Sequence, residues 1–301
     1  MLGKIWRVIF PSRARLIFNL QTNFNNLQIV DKGQYRYLVF CDKDKKTVLA
    51  NPETCYQSYC HKFFPWRATP FTSLFLLAPI FTPSFKKILS IGLGAGNLEK
   101  NLLYLFPKIK LTTVEIDPEI IKIARRYFKL KPRPNHQIVV ADGRKYLEKT
   151  KEQFDIIFID AFGSRYLPGP LFTKEFFVSC KKCLSPNGLL SININSSLKH
   201  APSKLFKSIY RTATTSFPTL FIVPRWPERP EKIQNILLFA TVQPLKLDPK
   251  EVELKSKKLP GRKGQKEARL YTHLSIGNDT PIITDSNLPS HKKLDIFAPE
   301  L

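Results

Sequence analysis

The chain has 301 residues, 43% of them hydrophobic, and sets 48 Lys and Arg against 24 Asp and Glu for a formal net charge of +24. That apolar content excludes global disorder and suffices for one large domain, or for a domain with a smaller module. The longest apolar run, Ser73–Phe81, is too short for a membrane span and carries Pro79, and five scattered cysteines do not make a disulfide framework.

In chain order, the N-terminal stretch is basic with only a brief apolar patch. It lacks the long apolar region and small-residue cleavage site of a secretory signal, so a cytoplasmic location is expected. From Leu27 to Leu49 alternating apolar positions are broken by DKG and DKDKK, which predicts two or three antiparallel strands in a small β module over residues 1–68. Residues 51–70 read as a proline-punctuated connection, and TSLFLLAPIF as a helix.

The pattern then changes. KKILSIG, KLTTVEID, QIVVADG, FDIIFIDAF, NGLLSININ, LFIVP and NILLFATV read as strands. NLEKNLLYLF, PEIIKIARRYF, RKYLEK, LFTKEFFVSCKKCL and SKLFKSIYRTATTSF read as helices between them. Strands that are apolar throughout, joined by helical crossovers, predict an α/β fold with a doubly wound, mostly parallel sheet over residues 69–243. Residues 244–301 are a lysine-rich C-terminal extension, whose densest run, 250–269, reads as a solvated, mobile segment.

Two cysteine groups have spacings that invite a redox or metal reading. Cys180 and Cys183 form a CxxC inside a helix that precedes a strand, not at the strand-to-helix junction where redox pairs sit. Cys55, Cys60 and His61 lack a second ligand pair. Both groups read as ordinary cysteines, and no metal is expected. The positive charge favours acidic partners, nucleic acid among them, but the basic residues are spread along the chain and carry no motif, which makes that signal weak.

In an open α/β sheet, ligands sit outside the carboxyl ends of the strands. The first of these strands runs into Gly92, Gly94 and Gly96, spaced G-x-G-x-G. The second ends in Glu115 and Asp117, the third in Asp142 and Gly143, the fourth in Asp160. The glycines admit a nucleoside close to the backbone. An acid about twenty residues further on suits two ribose hydroxyls, which selects Glu115. Asp142 suits an exocyclic amine of a base, and Asp160 the orientation and deprotonation of an attacking nitrogen. Asp117 directly precedes Pro118 and reads instead as a helix cap. The spacing differs from the G-x-G-x-x-G of nicotinamide dehydrogenases, and fits an adenosine-containing sulfonium donor better.

Taken in order, ILSIGLGAGN, TTVEIDPEIIKIARRYF, VVADGRKYL, FDIIFIDAF, LFTKEFF and LSPNGLL resemble the spermidine synthase family, and most closely its spermidine-synthase-like branch. The resemblance covers roughly 27–242, and ITDSNLP (283–289) resembles a further segment near the end of that branch. It implies a Rossmann-like, methyltransferase-type sheet with a reversed last strand, a donor that is S-adenosylmethionine or its decarboxylated form, and a homodimer. It also implies that Gln57 and Asn25 contact the ligand from the N-terminal module. Three amine-binding features of the family are absent. Ala95 stands in place of an aspartate at the glycine turn, Gly163 in place of a second acid after Asp160, and Pro70-Phe71 in place of a tyrosine-glutamine pair. Loss of carboxylates weakens binding of a dication, and alanine at position 95 removes a repulsion toward the carboxylate of intact S-adenosylmethionine. On that ground the sequence narrowly favours methyl transfer to a small-molecule amine or other nucleophilic acceptor. The alternatives are polyamine aminopropyl transfer from decarboxylated S-adenosylmethionine, and a non-catalytic or nucleic-acid-directed basic protein.

Overall fold

The computed structural model describes residues 13–41, 56–65, 68–163, 166–259 and 268–295. It opens with a four-stranded antiparallel sheet, β1 (Arg15–Gln21), β2 (Asn26–Lys32), β3 (Tyr35–Cys41) and β4 (Tyr56–His61), paired in that order. The DKG signal is a real turn: Lys32 pairs with Tyr35 across a two-residue loop, and Gly33 has φ 57°. β1 and β4 are additions to the expected set. CYQSYC, read as connection, supplies β4, in which Ser58 and Cys60 are buried while Gln57, Tyr59 and His61 are half-exposed. The period of two is there, but polar residue types conceal it. The predicted strand positions beyond Cys41, residues 1–12 and Cys55 lie outside the described residues.

TSLFLLAPIF is not one helix. It forms two single turns, α1 (Thr72–Phe75) and α2 (Ala78–Phe81). Pro79 lacks the N–H that would carry a continuous helix through this point, so the chain restarts with Pro79 in the first turn of α2.

The main sheet has seven strands: β5 (Lys87–Ile91), β6 (Lys110–Glu115), β7 (His136–Val140), β8 (Phe154–Ile159), β10 (Leu184–Ser196), β11 (Thr219–Pro224) and β12 (Gln234–Thr241). A short β9 (Tyr166–Pro168) lies outside it. The spatial order is β11-β12-β10-β8-β5-β6-β7. β5, β6, β7, β8 and β10 run parallel, and β12 is antiparallel to both β10 and β11, which is the expected reversed last strand. The intervening helices are α3 (Asn97–Leu105), α4 (Pro118–Phe128), α5 (Gly143–Lys149), α6 (Lys174–Lys182) and α7 (Ser203–Thr214). Pairing grows outward from β5 in both directions, so the crevice of an open α/β sheet falls between β5 and β8.

Both faces of the sheet are covered, which explains its apolar strands. On one face Ile157 and Ile159 pack with Phe176 and Phe177 of α6 and with Leu205 and Phe206 of α7. On the other, Ile156 and Phe158 pack with Phe75, Leu98 and Leu102. A third cluster joins Leu27, Ile29 and Leu38 of the N-terminal sheet to Ile120 and Ile123 of α4, fixing that sheet over one end of the main one.

The lysine-rich run is partly structured. Asp248 caps α8 (Pro249–Lys258), and Val252 is fully buried against the second face of the sheet. Buried Val252, with buried Ser256 accepting from Ala268 N at 3.1 Å, docks a mostly charged helix whose other aliphatic side chain, Leu254, stays exposed, so 249–258 is a packed helix rather than a solvated segment; 260–267 lie outside the described residues. Further on, β13 (Lys293–Asp295) pairs antiparallel with β9. Among the described residues no helix is long and apolar enough to cross a membrane.

Candidate active site

A cavity of about 490 Å³ opens at the carboxyl ends of β5, β6 and β8, within the range of small-molecule sites. Its rim begins with the glycine turn. Gly92, Gly94 and Gly96 all have positive φ, at 93°, 53° and 67°. At Gly92 a side chain is excluded twice over. The backbone is left-handed, and a Cβ would collide with the carbonyl of Asp160. The turn is locked to its neighbours through Gly92 N to Val114 O and Asp160 N to Ile91 O, both 2.9 Å. Gly96 then caps α3.

Glu115, Asp142 and Asp160 all reach the cavity wall. Glu115 is 8% exposed and accepts from the backbone N–H of Leu93 at 2.9 Å and of Asp117 at 3.0 Å. Burial pushes its carboxyl pKa up while those backbone donors oppose the rise. Its two oxygens are thereby held still beside the glycine turn. Asp142 caps α5, with Oδ1 accepting from Arg144 N at 2.9 Å and Lys145 N at 3.1 Å. Gly143 follows with no room for a side chain, because a Cβ would strike Ile91. Asp117 is a cap as expected. Its Oδ1 accepts from Glu119 N at 3.0 Å, and its Oδ2 from the Thr22 hydroxyl at 2.6 Å, tying β1's end to α4.

Asp160 lies where the β8 chain leaves the sheet. Burial pushes its pKa up to about 6, against a hydrogen bond from Asn193 Nδ2 at 2.9 Å that favours the ionised form. Asn193 is held in turn by Asn235, whose Nδ2 donates to its Oδ1 at 3.3 Å. Gln57 and Asn25, on β4 and in the β1–β2 loop, both line the cavity from the N-terminal sheet. Gln57 donates to the Gly163 carbonyl at 3.0 Å, so the loop after Asp160 is bound to the module facing it. Asn97 reinforces that closure by donating to Tyr59 O at 2.5 Å.

Asn25, Gln57, Gly92, Gly94, Glu115, Asp142, Gly143 and Asp160, all assigned to the site from sequence, therefore border one cavity, whereas Gly96 caps α3 against Leu130 and lies outside its lining. Ala95 does not border it either. It is fully buried among Leu27, Ile120 and Leu130, and the absence of a carboxylate there leaves an apolar seam rather than a gap in the cavity wall. The physical ground for preferring intact S-adenosylmethionine falls away with it. Phe71 does line the cavity. The sequence reading missed Asn193, a polar residue in an apolar strand whose register faces Asp160. It also missed Glu99, a cavity-lining acid in the first turn of α3. Arg144 was missed as well. It lines the cavity and forms a two-pronged pair with Asp285, at 2.5 Å on each arm. Asp285 belongs to ITDSNLP, so that segment is held against α5.

Cys180 and Cys183 are buried, unpaired thiols on and at the end of α6. His61 bonds Gln34 at 2.9 Å, and Cys60 is buried. Among the described residues no group of three His, Cys, Asp or Glu side chains is placed to hold a metal.

Known proteins agree with this geometry. The model of the spermine/spermidine synthase domain matches residues 74–266. The polyamine aminopropyltransferase of Vibrio vulnificus is 30% identical over 204 residues, which is 66% of this chain and 66% of that one. That of Chromobacterium violaceum is 35% identical over 109 residues, 36% of this chain and 42% of the relative. The chain thus spans about two thirds of the first relative's length and less than half of the second's. The crystal structure of spermidine synthase from Thermotoga maritima superposes with a TM-score of 0.56 at 23% identity, covering 88% of this chain and 81% of that one, a likeness of fold. A domain match that takes in the main sheet, the glycine turn and all three acid-bearing strand ends makes the chain a member of the spermine/spermidine synthase family.

Proposed function

We propose that the chain is a polyamine aminopropyltransferase, taking decarboxylated S-adenosylmethionine as donor and a small amine as acceptor. The observation that carries this reading is the cavity bordered by the glycine turn and by Glu115, Asp142 and Asp160 in a chain of this family. The preference for methyl transfer is given up for the aminopropyl alternative. Its physical basis was Ala95, which does not border the cavity, and the relatives carry the name polyamine aminopropyltransferase.

On this reading Glu115 accepts from the ribose hydroxyls, Asp142 from the exocyclic amine of the base, and the turn at Gly92, Gly94 and Gly96 carries the nucleoside backbone-close. Gln57 and Asn25 cover it from the N-terminal module. Residues 1–68 then serve as the cover, 69–243 as the nucleoside-binding transferase domain, and 244–301 as an extension that braces α5 through Asp285. The acceptor's nitrogen lone pair forms a bond to the propyl carbon beside the sulfonium. The carbon–sulfur bond breaks, its electrons neutralise sulfur, and 5′-methylthioadenosine leaves. Asp160 orients the nitrogen and takes its proton; a carboxyl near pKa 6 is mostly ionised at neutral pH and still basic enough to help. Alignment of nitrogen, carbon and sulfur in the cavity supplies most of the acceleration.

The test is mass-spectrometric detection of spermidine and 5′-methylthioadenosine from putrescine and decarboxylated S-adenosylmethionine, with wild type and Asp160→Asn. Stoichiometric formation of both products by wild type, reduced by roughly 10²-fold in the variant, is the expected result. Methylated amine from intact S-adenosylmethionine, with no product from the decarboxylated donor, would overturn the reading.

A further inference from the structure

Glu99 is a carboxyl that the reading above does not use. It sits in the first turn of α3, is 1% exposed, and belongs to the wall of the same cavity. Its Oε1 has the Thr113 hydroxyl at 3.5 Å, whereas its Oε2 is buried with no hydrogen-bond partner among the described residues. A buried carboxyl oxygen left unpaired is a defect in a finished core, where such groups are normally satisfied. In a cavity wall it is an unfilled acceptor.

The groups around it do not fill that role. The Ser90 hydroxyl, from β5, favours the ionised form of Glu99 but donates at 3.3 Å to the Gly92 carbonyl and leaves Oε2 unpartnered, and Thr113 comes from β6, where His136 of β7 bonds the same hydroxyl at 2.9 Å. Burial holds His136 down to about 4, so it brings no charge at neutral pH. Lys100, the next residue of α3, gives its ammonium to the carbonyl of Phe128 at 2.9 Å instead. Asp160, at the end of β8, is close enough to add repulsion. Burial, first, and that neighbouring acid push Glu99 up to about 8, so it stands protonated beside an ionised Asp160.

We infer that Glu99 and Asp160 together form an alkylammonium subsite, with Glu99 supplying the carboxylate that Gly163 does not. The inference rests on the aminopropyl reading, since the ammonium belongs either to the donor's propyl arm or to the acceptor. Arrival of the cation stabilises both carboxylates. The O–H bond of Glu99 breaks, its proton passes to solvent through the open cavity, and a positive charge takes its place, so the charge of the site is conserved. Where the subsite holds the propyl arm, the same pair rejects intact S-adenosylmethionine, whose carboxylate would meet two acids.

Calorimetric titration of the full chain at pH 7, in buffers of differing ionisation enthalpy, tests this. The ligands are decarboxylated S-adenosylmethionine, 5′-methylthioadenosine, and putrescine added to the 5′-methylthioadenosine complex. Wild type is expected to release close to one proton with whichever ligand brings the ammonium, and none with 5′-methylthioadenosine. Glu99→Gln should weaken that ligand at least tenfold, abolish proton release, and leave 5′-methylthioadenosine within twofold. Loss confined to the decarboxylated donor assigns the subsite to the propyl arm; loss confined to putrescine assigns it to the acceptor. Tight binding by wild type without proton release, or undiminished binding by Glu99→Gln, overturns the Glu99 inference and leaves the aminopropyl reading standing. Wild type that binds neither amine-bearing ligand overturns both. The proton count needs no variant, so it decides the matter even if Glu99→Gln does not fold.

Discussion

Asn193 Nδ2 donates a 2.9 Å hydrogen bond to Asp160 Oδ1 across the joint between β8 and β10, and the bond favours the ionised carboxylate. Removing the donor leaves burial unopposed, so the Asp160 pKa rises above its present value of about 6. A general base acts when ionised, so activity appears as pH rises through that pKa. Asn193→Leu is expected to move the acidic limb of the kcat/KM profile to higher pH and to lower activity at pH 7 several-fold. A profile identical to wild type would show that Asp160 does not titrate in the rate-determining species.

Asp142 holds two positions at once, capping α5 and bordering the cavity. Asn caps a helix about as well as Asp, while Ala does not. Asp142→Asn should therefore keep the melting temperature near wild type and weaken 5′-methylthioadenosine binding, because the amide NH₂ would face the exocyclic amine. Asp142→Ala should in addition lose about 1 kcal/mol of stability. Unchanged affinity in Asp142→Asn would reduce the residue to its capping role.

Gly92 is constrained by its φ of 93° and by the Asp160 carbonyl. Gly92→Ala is expected to cost at least about 2 kcal/mol by chemical denaturation, from backbone strain and a collision neither partner can relieve. A change below about 0.5 kcal/mol would mean the turn can be rebuilt.

Glu99 makes stability depend on pH in a defined direction. Its folded pKa, about 8, lies above the usual carboxyl value of 4.5. The folded state thus binds this proton more tightly, a contribution fully present below about 4.5 and lost as pH rises through 8. Without ligand, wild type should lose stability from pH 6 to 8.5, and Glu99→Gln should lose less, by roughly 1–3 kcal/mol at the upper end. Parallel melting curves for the two proteins across that range would refute the buried, protonated state.

The Arg144–Asp285 pair joins α5 to the C-terminal extension, and Asp285 is 44% exposed. Solvent screening limits such a pair to about 1 kcal/mol or less. The Arg144 guanidinium holds the Asp285 carboxyl below its usual range, so this contribution is present at neutral pH and fades under acid. Asp285→Asn should leave global stability nearly unchanged while exposing the 283–295 segment to limited proteolysis. Equal cleavage rates would show that the β9–β13 pairing holds the segment alone.

The strand order of chemistry was legible in the residues themselves. ILSIGLGAG announces a buried strand that runs into a bare turn, because a strand covered on both faces must be apolar and only glycine takes positive φ without strain. Glu115, Asp142 and Asp160 were readable because alternation of strand and helix brings successive carboxyl ends to one edge of the sheet. Asp117 declared itself a cap through the proline behind it. Other features were decided only by packing. β4 was hidden because its inward residues, Ser58 and Cys60, are polar or small, and nothing local says they face a core. Ala95 sits in the glycine turn by sequence, yet the twist of that turn aims its methyl at α4 and away from the cavity. Asn193 meets Asp160, and Glu99 meets the cavity, through strand register and helix placement across separations of tens of residues. Local pattern fixes which backbone a segment adopts, because it acts through neighbours in the chain. Which acid stands alone, and which has a partner, is set by contacts that exist only once the sheet has closed.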